Sequence, residues 1–295
     1  MDTPLVSVII PVYNDAERLR LCLERLKEQT YSPFEVIVVD NGSVDDASER
    51  VCEAFDFVDF AREAKPGSYA ARNHGLKLAR GEVLAFTDSD TLPRPDWLER
   101  GVKHLAEIDN DGLVAGRLEV FPARPDKPTA TELYEMMFAF PQQRYVEQSG
   151  YGVTGNMFTS RRVFDTVGPF NEQLLSGGDG EFGARVRSAG FKAVYAEDAC
   201  VKHPARRDFA EVRRKLRRTM AGVRDRDGSL GMALVQFKEA LKPPLKLSFK
   251  VLKSRDSRFN FWQKLIICRV AFQIRLLAGL EAFRLWVLGS ASSRA

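Results

Sequence analysis

Two carboxylates two residues apart, Asp88 and Asp90, sit just after the apolar run at residues 83–86 of a 295-residue chain. At the end of a predicted strand such a pair forms a small acidic claw. It can hold a hard divalent cation, Mg or Mn, and through it a diphosphate. A short acidic triplet alone is a weak signal, and its weight comes from its surroundings. A second acidic cluster, Asp179-Gly180-Glu181, stands in a glycine-rich stretch. A carboxylate there can serve as a general base, and it can equally cap a helix. Asp40 and Asn41 close a further apolar run at residues 34–39. A carboxylate or amide at that place can hydrogen-bond the N–H and carbonyl edge of a pyrimidine base, or close an Asx turn.

These groups need elements that deliver them to one place. Residues 6–10 (VSVII) are β-branched and apolar, which predicts a buried parallel strand ended by Pro11. Asn14 or Asp15 can cap the next helix, whose Leu19, Leu23 and Leu26 keep helical spacing. Residues 34–39 predict a second strand, and Asp45 and Asp46 then sit where a helix N-terminus favours negative charge. A helix over 68–79 and a strand over 83–87 complete the series. The order is that of an open parallel α/β sheet with helices on both faces. Ligands bind such sheets at the carboxyl ends of the strands, where Asp40, Asn41, Asp88 and Asp90 all fall. The second half is less regular. Pro93, Pro95, Pro122, Pro125, Pro128 and Pro141 predict long loops, with an irregular stretch from about 112 to 177. Short helices are expected over 161–167 and 181–189, and a strand over 192–196.

The chain is 44% apolar and 28% charged, ordinary for a globular protein and long enough for one large domain with appendages. Its net charge of +4 is unevenly spread. Residues 206–258 hold 16 Lys/Arg and 6 Asp/Glu, so the remainder is net acidic. Cys22, Cys52, Cys200 and Cys268 are scattered, which excludes a zinc ribbon and predicts a reduced, cytoplasmic setting. The N-terminus lacks the pattern of a signal peptide, and no uncharged apolar run reaches the length of a membrane span.

Five segments, VSVIIPVYN at 6–14, VVDNGSVDD at 38–46, AARNHGL at 70–76, RGEVLAFTDSDTLPRP at 80–95 and GGDGEFGARVRSAG at 177–190, occur in an order and spacing that resemble the family 2 glycosyltransferases. The resemblance covers about residues 5–205. It implies a GT-A fold, with a Rossmann-like, mostly parallel central sheet, and an inverting transfer from a nucleotide-diphosphate sugar to a saccharide or lipid-linked acceptor in cell-envelope synthesis. By the same resemblance Pro11 and Tyr13 line the base pocket, Asp40 and Asn41 hold the nucleotide, and Arg72 lies near the diphosphate or ribose. Asp88 contacts ribose or metal, Asp90 binds metal, and His203 completes the metal shell or meets the diphosphate. Gly155 and Asn156 line the donor and acceptor pocket, Gly155 allowing close backbone approach. Asp179 is the expected general base, taking the acceptor's proton as its hydroxyl attacks opposite the leaving diphosphate. The family usually has Asp where this chain has Asn41, and Glu-Asp where it reads Gly178-Asp179. The first departure leaves the base open. In the second the acidic neighbour is lost, and Glu181 is the residue placed to compensate.

The domain expectation is a catalytic GT-A domain over 1–205 and a basic helical extension over 206–295. In the extension, clustered Arg213–Arg218 and the spaced Lys238, Lys242, Lys246, Lys250 and Lys253 accompany Phe249, Phe261, Trp262, Phe272, Phe283 and Trp286. Such a composition suits attachment to an anionic membrane surface, on the inner face of the cell membrane, and it suits equally a helical subdomain packed on the core. Nucleic acid is not an expected partner, since the front half is acidic and no recognition module is visible. Two other readings stay open: a non-catalytic nucleotide-sugar-binding scaffold, and a sugar nucleotidyltransferase.

Overall fold

The computed structural model describes residues 3–227 and 237–288. One eight-stranded sheet organises the first of two units, which comprises 1–119 and 140–203. Its strands are β1 (Val6–Val12), β2 (Phe34–Asp40), β3 (Val58–Arg62), β4 (Val83–Thr87), β5 (Leu92–Pro93), β6 (Gly112–Phe121), β7 (Asn156–Ser160) and β8 (Lys192–Pro204). They lie in the order β3-β2-β1-β4-β7-β6-β8-β5. The pairs β1–β2, β1–β4 and β2–β3 are parallel, and β4–β7, β6–β7 and β5–β8 are antiparallel.

The parallel half follows from alternation. Val6, Val8, Ile10 and Val12 of β1 point to one face and pack with Leu19, Leu23 and Leu26 of α1 (Ala16–Lys27) and with Trp97, Leu98 and Leu105 of α4 (Trp97–Ala106). Ile9, Ile37 and Val39 point to the other face, against Tyr69 and Ala71 of α3 (Ser68–Leu78) and Phe182 and Val186 of α8 (Gly178–Ser188). Each fully buried leucine of α1 contributes roughly 1.5–3 kcal/mol, so its Leu19/Leu23/Leu26 stripe fixes the helix to the sheet. The intervening helices on this unit are α2 (Ala47–Cys52), α6 (Gln142–Ser149) and α7 (Arg161–Val167).

Two expectations are corrected. Pro11 does not end β1, which continues through Val12. The pairing of β1 with β4 stops at Ile9 opposite Phe86, while Val12 carries on toward β2 by accepting from the Asn41 N–H at 2.9 Å. The missing N–H of Pro11 therefore faces the side where no ladder asks for it. The stretch from 112 to 177 is also far from irregular. It supplies β6, β7, α6, α7 and the helix α5 (Ala130–Phe138); Pro122 and Pro141 adjoin β6 and α6, while Pro125 and Pro128 stand in the loop at 122–129. The strand expected at 192–196 runs on to Pro204, carrying His203 at its end.

In the second unit, 120–139 with 204–295, the described residues are mainly helical. It holds α5, α9 (Phe209–Asp227), α10 (Leu245–Lys253) and α11 (Phe261–Leu288). A capping box starts α5: Thr129 Oγ1 accepts from the Glu132 N–H, and the Glu132 carboxylate accepts from the Thr129 N–H. Leu133, Val251, Phe259 and Ile267 form a small core between α5, α10 and α11. Among the described residues no helix is long and apolar enough to cross a membrane.

Candidate functional site

At the carboxyl edge of the parallel strands, loop chemistry fixes each polar group in turn. After β4, Thr91 Oγ1 donates to the Asp88 carbonyl at 2.9 Å and shares a 2.7 Å hydrogen bond with Thr87 Oγ1. The turn so held presents Asp88 and Asp90 on one side. His203, at the end of β8, brings Nε2 to 3.5 Å from Asp90 Oδ1, its ring resting 4.6 Å from that of Phe140. One ligand atom from each of Asp88, Asp90 and His203 lies within 4.8 Å of the others. Two carboxylates and an imidazole are a donor set suited to Mn or Mg, and their closeness would let them share one ion. Arg18 of α1 places Nη1 3.5 Å from Asp90 Oδ2.

Arg72, 4% exposed on α3, joins this cluster to the rest of the site. Its Nη2 donates to Asp88 Oδ1 at 2.5 Å, its guanidinium lies 5.9 Å over the Tyr69 ring, and its buried Nε has no hydrogen-bond partner. Its charge also acts on Asp179, in the first turn of α8. Asp179 does not cap that helix: Gly177 is the N-cap, in the left-handed conformation. The Asp179 carboxylate instead accepts from Thr154 Oγ1 at 3.0 Å, and its N–H donates to the Tyr69 hydroxyl at 3.1 Å. Burial pushes its carboxyl above the usual range, with Asp88 pushing the same way, while Arg72 and the Thr154 hydroxyl pull it back. A carboxyl shifted in this manner, beside a cation and other carboxylates, is a candidate for proton transfer.

Asp40 forms the expected Asx turn with half of its carboxylate. Its Oδ1 accepts from the N–H groups of Gly42 and Ser43 at 3.0 and 2.8 Å. Its Oδ2 is buried with no hydrogen-bond partner, an acceptor left over once the turn is made. Asn41 spends its amide on the loop after β3, donating to the carbonyls of Glu63 and Lys65 and accepting from the Gly67 N–H. Tyr13 is 50% exposed beside it, and Asn14 ties the loops after β1 and β2 together through Ser43 and Val44.

The remaining residues divide by what their side chains touch. Gly155 lies so close to the claw that an added Cβ would meet Asp88 Oδ2 at 3.0 Å. Asn156 has no exposed surface. Its amide accepts from Trp97 Nε1 and donates to the carbonyls of Arg117 and Ala199, each at 2.9 Å, so it braces β6, β7 and β8 from beneath the site. Glu181 is held in a two-point ion pair with Arg185, at 2.8 and 3.0 Å, and Arg185 also donates to the carbonyls of Val167, Gly168 and Pro169. That pair fastens α8 to the end of α7. Tyr69, Thr154 and Arg18 enter the site with no motif of their own; the sequence marks Tyr69 only as part of the helix over 68–79 and Thr154 only as the neighbour of Gly155.

Tyr69 also gives a physical reason for Gly178. A Cβ at position 178 would meet Cε2 and Cζ of the Tyr69 ring at 2.6 Å. The ring occupies the space that a side chain next to Asp179 would need.

A family model described as Glycosyl transferase family 2 matches residues 7–168. Glycosyltransferase AglE of Haloferax volcanii is 40% identical over 218 residues, covering 72% of this chain and 70% of its own. Glycosyltransferase GlyG of Streptococcus pneumoniae is 35% identical over 115 residues, 37% of this chain and 38% of that protein, so the likeness there spans well under half of either. Among solved structures, the mannosyltransferase PcManGT from Pyrobaculum calidifontis, in complex with GDP-Man and Mn2+, superimposes with a TM-score of 0.59 at 20% identity, covering 99% of this chain and 77% of that one. TarS 1-349 of S. aureus gives 0.54 at 16% identity, covering 97% and 92%. At those identities the structures speak for the GT-A fold. With the family match across more than half of the chain and the likeness to AglE, the sequence blocks and the fold they build agree: the chain belongs to glycosyltransferase family 2 and is a transferase enzyme.

Proposed function

We propose that this enzyme moves a sugar, with inversion and with the help of a divalent metal, from a nucleotide-diphosphate sugar to a hydroxyl of a saccharide or lipid-linked acceptor. The observation that carries the reading is the convergence of Asp88, Asp90 and His203 beside Arg72, which in turn faces Asp179. PcManGT holds GDP-Man and Mn2+, and TarS has been solved with UDP, which supports a nucleotide-sugar donor for a chain of the same fold.

In this reading the buried Oδ2 of Asp40 accepts from the base, Pro11 and Tyr13 line the base pocket, and Asn41 acts by holding the loop after β3. Asp90 and His203 hold the cation, with Asp88 shared between it, the ribose and Arg72. A bound cation would neutralise charge on the departing diphosphate. Arg72 adds a fixed positive charge on the same side, and its unpartnered Nε offers one more donor to a phosphate oxygen. Asp179 removes the proton from the attacking hydroxyl, oriented by Thr154 and Tyr69. Gly155 leaves space for the donor sugar against Asp88. Residues 1–205 act as the catalytic domain and 206–295 as its basic helical extension, in a cytoplasmic enzyme of cell-envelope polysaccharide or glycolipid synthesis.

The test is a thermal-shift series with UDP, GDP, dTDP and CDP, with and without Mn²⁺. One diphosphate raises the melting temperature in the presence of metal, by mass action on the native state. Asp90→Asn abolishes the metal-dependent part. Folded protein that responds to none of the four would overturn the donor site.

A further inference from the structure

The nine residues of α10 read LKLSFKVLK, and all but Leu247 fall into three stripes. Ser248 and Val251 turn inward, Val251 joining the small core with Leu133, Phe259 and Ile267. Leu245, Phe249 and Leu252, at spacings of four and three, turn outward and are 73%, 60% and 37% exposed. Lys246, Lys250 and Lys253 follow each of these by one residue and form a parallel exposed stripe. The ammonium of Lys253 lies 4.4 Å from the centre of the Phe249 ring. At the start of α11, Phe261 and Trp262 are 60% and 72% exposed. A helix held only by packing buries its large apolar side chains and shows its lysines to water. Here the large apolar side chains stand outside, next to the lysines.

The charge around this face selects the occupant. Residues 240–270 contain eight Lys/Arg and one Asp/Glu, and that one, Asp256, is paired with Arg258 at 2.7 Å. A second copy docked by a two-fold axis would set lysine stripe against lysine stripe. An anionic bilayer meets the lysines with opposite charge and takes leucine, phenylalanine and tryptophan at the boundary between headgroups and acyl chains.

We propose that the exposed face of α10, with Phe261 and Trp262 of α11, is an interfacial docking surface for anionic lipid. It works by lying on the bilayer, in keeping with the lack of a spanning helix among the described residues. The inference stands on this face alone and does not depend on the reading of the sugar-transfer site.

Flotation of the full chain with vesicles tests it. The protein rises with phosphatidylcholine vesicles containing about 30% phosphatidylglycerol and stays behind with phosphatidylcholine alone, and added salt weakens the binding. Leu245→Glu with Phe249→Glu lowers partitioning at least ~10-fold by removing the apolar stripe. Lys246→Gln with Lys250→Gln lowers it by about the same factor on anionic vesicles. All four positions are exposed, and unchanged melting curves verify that each variant is folded. Folded parent protein that ignores both kinds of vesicle overturns the proposal, as do variants that float like the parent. A concentration-dependent dimer dissolved by Phe249→Glu would give this face to a second copy instead.

Discussion

Asp179 is the residue on which the proposed chemistry turns, and its surroundings pull in two directions. Burial raises its carboxyl, while Arg72 and Thr154 favour the charged form. A base shifted up from the carboxylate range accepts a proton more readily at neutral pH, provided it is still ionised there. Asp179→Asn is therefore expected to lower kcat by about 10²–10⁴-fold in steady-state assays. In the parent enzyme the acid limb of kcat/KM should fall above the ordinary aspartate range, because the base must lose its proton to work. The same shift has a cost in stability. A carboxyl whose folded value lies above its unfolded one stabilises the fold at low pH, and that contribution is lost as pH rises through the folded value. At pH 7 Asp179→Asn should thus melt higher than the parent, with the gap closing as pH approaches about 4. Unchanged turnover in this variant would remove Asp179 from the mechanism.

At the scale of elements, the decisive contact is between the start of α3 and the start of α8. Tyr69 is 5% exposed and fills the space beside Gly178, while its hydroxyl takes the Asp179 N–H. Gly178→Ala forces the ring and the helix start apart, and about 1–3 kcal/mol of lost stability is expected, read as a lower urea midpoint at constant slope. Tyr69→Phe keeps the shape and loses only the acceptor, so its loss should be close to 1 kcal/mol. A Gly178→Ala variant as stable as the parent would show that α8 can slide away from α3, and the link to Asp179 would be weaker than the distances imply. The missing acidic neighbour of Asp179 is thus matched by an aromatic ring from another helix. Glu181 is fastened to Arg185.

For the whole molecule, the four cysteines give a measure of how tightly the sheet and its helices close. All are free, with Cys22, Cys52 and Cys200 buried and Cys268 partly exposed. Burial pushes the thiols of Cys22 and Cys52 up to about 12, and raises that of Cys200. Thiolate is the reactive form, so the native protein should react with a disulfide reagent such as DTNB at Cys268 first. The other three should follow at the rate of opening of the fold, and denaturant should release them together. Cys22 lies under the acidic claw, its sulfur 3.8 Å from the Asp88 carbonyl. Fast labelling of Cys22 in native protein would mean that the claw is not held as tightly as the packing of β1, α1 and β4 suggests.

Much of this protein is written locally. Apolar runs ending in Asp40 and Asp88 announce buried parallel strands and the edge to which they point, because burial on both faces needs only the run itself. The leucines of α1 announce their helix for a similar reason, and five ordered segments carry the family. The prolines after residue 93 carry two meanings: Pro122, Pro125 and Pro128 do fall in a loop, at 122–129, while Pro141 adjoins the start of α6, and a local pattern cannot tell the two apart. The site's final form was decided by tertiary structure. Tyr69 and Asp179 meet across 110 positions of chain. His203 reaches Asp90 only because β8 runs through to Pro204, and the side chains of Asn41 and Asn156 are taken up by backbone groups of other strands and loops. Residue type fixes what a side chain can bond. Which bonds it makes depends on strand order and register, set by non-local packing once the chain has closed.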